Sequence, residues 1–189
     1  RLDYLGAGEG QRSPVHQALD ALLQEIRTKL NPDWILIDAR TGLHDLGGLA
    51  VHAFAHVDVL LARDSQQGNE GLRLAIHGLC RRREPEALKL VFVQAMVPSD
   101  KTAREASQDR FRDKTYTLCE ENLYGGDDPP ARDDRGALHQ PFPLTLRVDL
   151  ADSETVQELL RKCAHDEEYT AIAKRLQFLR RSEQEDDET

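Results

Sequence analysis

The stretch with the clearest capacity for chemistry is DWILIDARTGLHDLGG, residues 33 to 48. An apolar run, Trp34 to Ile37, ends on a carboxylate at Asp38, and the chain reaches Gly42 four residues later. In open α/β sheets, ligands bind in the crevice at the carboxyl ends of the strands. An aspartate placed there can hold Mg2+, usually through water, because this small hard cation keeps much of its hydration shell. Gly42 has no side chain to obstruct a close approach of the backbone to a phosphate oxygen. The following LHDLGG, with Asp45, is then a loop able to respond to a terminal phosphate. The same short pattern also describes an aspartate that only ends a buried strand.

Phosphate sites of this kind need a glycine-rich loop carrying a lysine or arginine. GAGEGQRS, residues 6 to 13, is the one candidate, and it lies between strand-like and helix-like sequence. A G-x-x-x-x-G-K-[ST] loop begun at Gly6 puts Gln11 where glycine is required and Arg12 where lysine is usual. A side chain at that tight turn disturbs the backbone approach, so GAGEGQRS reads as a turn. His52 and His56 stand four apart, as helical metal ligands can, but lack an acidic or cysteine partner at matching spacing. Arg81, Arg82 and Arg83 follow a helical pattern and complement its C-terminal dipole. No G-x-S-x-G nucleophile elbow occurs.

These residues need a scaffold, and the apolar pattern supplies one. LDYL (2 to 5) reads as a short strand. Pro14 opens a helix capped by Ser13, with Leu19, Leu22, Leu23, Ile26 and Leu30 at helical spacing. NPD (31 to 33) breaks it, and WILID follows as a fully buried strand. VDVLLA (57 to 62) is the next strand, and 66 to 83 a helix with Leu72, Ile76 and Leu79 on one side. LKLVFVQA (88 to 95) is a further strand, followed by a polar helix from about Asp100 to Leu123. Arg104, Arg110, Arg112 and Lys114 on that helix read as a solvated face. Residues 125 to 140 form a Gly/Pro-rich charged loop, and LTLRVDL (144 to 150) a last strand at an edge. Helices near 153 to 164 and 166 to 181 precede a disordered acidic tail at 182 to 189. Strands alternating with helices imply a mainly parallel sheet covered on both faces, in one α/β domain over residues 1 to 181.

The 189 residues are 39% hydrophobic and 31% charged, which suits a soluble globular domain with a well-charged surface. A net charge of -9 argues against a nucleic-acid groove or an anionic membrane surface. Cys80, Cys119 and Cys163 are odd in number and far apart, as expected of reduced thiols in a cytoplasmic protein. No transmembrane-length apolar run and no signal peptide are seen.

DWILIDARTGLHDLGG resembles the Walker B and switch II segment of ParA/MinD-like P-loop ATPases. It is closest to the branch with a KGGVGR phosphate loop and a later D-Y-I-L-I-D-S-R-T-G-x-x-D-x-G-G segment. Trp34 replaces an aromatic and Ala39 a small residue, both mild departures. RLDYLGAG, VDVLLARDSQQGNEGL, LVFVQAMVP and EEYTAIAKRL follow the family's later elements in order and spacing.

The resemblance implies a deviant Walker A, ParA-like fold that binds and slowly hydrolyses ATP with Mg2+, often as a nucleotide-driven homodimer. It makes Asp38 the metal-positioning residue, brings the Gly42 N–H to the γ-phosphate, and places Arg40, Thr41 and Asp45 in the switch. Gln94, Val97 and Pro98 would line the adenine pocket. The family's first strand, phosphate loop and first switch would precede Arg1, so the expectation is a fragment that binds ATP weakly by itself. A non-catalytic interaction module with the same fold stays open. A receiver domain with Asp38 as phosphoacceptor is disfavoured, because early paired acids and a later strand-end lysine are not evident.

Overall fold

The computed structural model describes residues 14–38, 54–81, 88–125 and 128–187. The chain separates into two compact units, Arg1–His56 and Val57–Thr189, where the sequence reading has a single domain without a linker. LDYL and GAGEGQRS lie outside the described residues.

In the first unit, α1 spans Pro14–Leu30. Proline is favoured at a first helical position because its missing N–H has no intrahelical partner there. The helix stops at Asn31, whose φ of 43° is left-handed and whose N–H donates to Arg27 O at 3.1 Å. Residues 34–38, expected as a buried strand, form no strand: Trp34 is 42% exposed and Leu36 85%. An all-apolar strand needs neighbouring strands to cover it, and no strand occurs among the described residues of this unit.

The second unit contains β1 (Asp58–Ala62), α2 (Gln66–Cys80), β2 (Leu90–Val97), α3 (Lys101–Asn122) and β3 (Phe142–Thr145). Helices α4 (Val148–Ala151), α5 (Val156–Ala164) and α6 (Glu167–Asp187) come after them. The strands form a parallel sheet in the order β1-β2-β3, with Asp58 opposite Leu90 and Val93 opposite Phe142. This is the expected α/β pattern of a mainly parallel sheet flanked by helices. Central β2 is almost wholly buried, as an uninterrupted apolar run requires. Helices α2 and α3 pack against β1 and β2 respectively, and α6 packs against β2 and β3. Val91 and Val93 meet Leu179, with Val57, Phe142, Leu144, Ile172 and Leu176 packed around them. In-register Val59 and Leu61 stay 38% and 59% exposed on edge strand β1.

Local chemistry explains the helix starts. The Ser65 hydroxyl caps α2 by accepting from Gly68 N at 3.1 Å, and Leu72, Ile76 and Leu79 are its buried face, as the spacing predicts. Asp100 caps α3 through Ala103 N at 2.9 Å. Helix α3 is more than a solvated polar helix, since Phe111, Thr115, Leu118 and Cys119 are buried.

Two C-terminal expectations shift. The last strand lies at 142–145 rather than 144–150, and Val148–Ala151 is a helical turn. The chain leaves the sheet after Leu146 N donates to Val97 O at 3.0 Å. Pro143, which has no N–H to give, is tolerated because β3 is an edge, the position expected for the last strand. Helix α6 continues to Asp187, past residue 181, since an established helix gains a backbone hydrogen bond per added residue.

Residues 128–141 are irregular but closely held. Successive turns donate Asp134 N to Ala131 O, Ala137 N to Asp134 O and Gln140 N to Ala137 O. Buried His139 anchors them: its Nε2 lies 3.0 Å from Arg132 O and its Nδ1 2.7 Å from the Tyr124 hydroxyl. A carbonyl only accepts, so Nε2 carries the proton and Nδ1 accepts from Tyr124. Thr115 Oγ1 donates to His139 O at 2.7 Å, tying the loop to α3.

Two glycines of α2 give a discriminating test. A Cβ at Gly68 would lie 2.3 Å from Arg63 O, whereas one at Gly71 meets nothing within 4 Å. Gly71→Ala is expected to stabilise by about 0.5–1 kcal/mol through helix propensity. Gly68→Ala is expected to destabilise by about 1–3 kcal/mol through overpacking. Urea unfolding of both variants measures this; shifts of the same sign would rule out the close approach as a constraint.

Candidate functional site

Parallel strands bring their carboxyl ends to one rim, and the polar side chains of the second unit converge there. β1 ends at Ala62 and turns through Arg63 and Asp64 into Ser65, the cap of α2. The Asp64 side chain is only 8% exposed. Its Oδ2 accepts from Arg110 Nε at 3.0 Å, Arg110 Nη2 at 2.8 Å and Ser107 Oγ at 3.2 Å. Its Oδ1 accepts from Lys114 Nζ at 3.0 Å. Burial disfavours the charged form, but Lys114, Arg110 and Ser107 outweigh it and hold the carboxyl below its ordinary value.

Gln94, opposite Ala62 in the register, points from β2 toward α3. Its Nε2 donates to Ser107 Oγ at 2.8 Å and to Ser107 O at 3.3 Å. The carbonyl only accepts, which fixes the amide orientation. A relay therefore runs from the Gln94 amide through the Ser107 hydroxyl to Asp64. Gln94 Oε1 is buried without a hydrogen-bond partner. A buried acceptor left unmet costs about 1–3 kcal/mol.

Two residues on, Met96 has a φ of 58° and occupies a register irregularity between Ala95 and Val97. One extra residue in the left-handed region bends the strand and re-aims the residues beyond it. At the end of β3, Glu168 accepts from Thr145 N and Thr145 Oγ1, both at 2.7 Å, and from Arg104 Nη2 at 2.5 Å. Asp166 caps α6 through Glu168 N at 2.9 Å and pairs with Arg147 at 2.6 Å. The rim charges thus largely satisfy one another, with Arg110 59% exposed over buried Asp64.

Of the residues expected from sequence, Gln94, Val97 and Pro98 belong to this second unit and stand at the end of β2. Asp38 is exposed, at the irregular end of the described segment 14–38. Arg40, Thr41, Gly42 and Asp45 lie outside the described residues, as do His52, Arg82 and Arg83. Gln94 and Val97 are buried and Pro98 is half-buried at the end of β2. Arg81 N closes α2 on His77 O at 3.3 Å. Burial pushes the Cys119 thiol up to about 12. Burial, with Cys119 beside it, does the same to the Tyr124 phenol. Both stay protonated at neutral pH, and neither is an activated nucleophile.

Asp64, Ser107, Arg110 and Lys114 do not stand out from the sequence as a set. Two signals nevertheless point to them. Asp64 lies just past the end of a parallel strand and precedes a cap, and Ser107, Arg110 and Lys114 recur at helical spacing.

No helix among the described residues is long and apolar enough to cross a membrane. No protein-family model, curated protein or solved structure matches the chain.

The depressed Asp64 carboxyl has a definite sign. It contributes stability above the unfolded aspartate value, about 3.9, and that contribution disappears as pH falls through the lower folded value. Asp64→Asn is expected to cost about 1–3 kcal/mol at pH 7. The gap from the parent should narrow as pH falls from about 5 toward 2. Urea unfolding across this range measures it; a gap independent of pH would remove the charge linkage.

Proposed function

We propose that this chain is part of a nucleotide-dependent switch ATPase of ParA/MinD-like type, carrying Walker B and switch II but not Walker A. One observation carries the reading: in DWILIDARTGLHDLGG, a strand-type apolar run, a magnesium-type aspartate and a phosphate-type glycine occur in sequence. On this reading Asp38 positions Mg2+ through water and the Gly42 N–H meets the γ-phosphate of ATP. Arg40, Thr41 and Asp45 respond to that phosphate as switch residues. Gln94, Val97 and Pro98 stand at the adenine end of the site, with enclosed Val97 forming its support. ATP drives association with a second copy or a protein partner, in the cytoplasm.

The parallel α/β sheet is compatible with this chemistry. A second reading, a non-catalytic protein-interaction module of ParA-like fold, is favoured by the rim. There Asp64 pairs with Arg110 and Lys114, and Glu168 with Arg104.

Asp38→Ala in the whole protein carrying this chain separates the two. Loss of a water-mediated metal partner is expected to lower Mg2+-dependent ATP hydrolysis about 10–100-fold, with circular dichroism unchanged. Unchanged hydrolysis would overturn the role of Asp38. A parent protein without Mg2+-dependent hydrolysis would favour the interaction module.

A further inference from the structure

We draw no further inference here: the strongest candidate, the exposed apolar surface patch of Val156 and Leu160 on helix α5, carries nothing because nothing in the structure shows what covers it.

Discussion

A parallel strand that is apolar on both faces has to be covered on both, and β2 imposes that condition on everything around it. Its alternate residues turn toward α3 or toward α6, so neither helix can be dispensed with and neither can take the other's place. Val91 and Val93 require the apolar stripe of α6, including Leu179. Phe92, fully enclosed, requires the other side to be closed as well. The flanking strands then inherit their positions: β1 and β3 both run parallel to β2, and the loops gather at two poles.

The one polar residue on the enclosed part of β2 sharpens this constraint. Gln94 cannot be buried without hydrogen bonds, and α3 answers with both the hydroxyl and the carbonyl of Ser107. Ser107 in turn reaches Asp64, and the same helix face supplies Arg110 and Lys114 to that carboxylate. Strand β1, strand β2 and helix α3 are therefore locked by one polar relay as well as by apolar packing. Glu168 performs a comparable connection for β3, α3 and α6 through Thr145 and Arg104. At the carboxyl ends Asp64 is matched by Arg110 and Lys114, and Glu168 by Arg104.

Much of the second unit is legible in its residues. VDVLLA, LVFVQA and the spacing of Leu72, Ile76 and Leu79 identify elements whose structure is local or whose burial is continuous. The capping side chains of Ser65 and Asp100 mark where α2 and α3 begin. Pattern and structure part where a strand depends on its neighbours: WILID has the composition of a buried strand but no strand beside it among the described residues of its unit. β3 likewise ends earlier than its alternating pattern suggests, because Glu168 holds Thr145 and the chain turns away into α4. Of the candidate site, DWILIDARTGLHDLGG is visible at once as a motif, while the Asp64 cluster is not. Its members lie up to 50 residues apart and carry no motif in common.

The sequence by itself determined the alternation of strand and helix and the parallel sheet. Each depends on side chains a few residues apart or on a continuous apolar run. Only the tertiary structure decided that Asp64 is enclosed by Ser107, Arg110 and Lys114. It alone decided that Gln94 leaves one acceptor unmet. These outcomes depend on which helix face meets which strand end, and that is set by packing both faces of β2 at once.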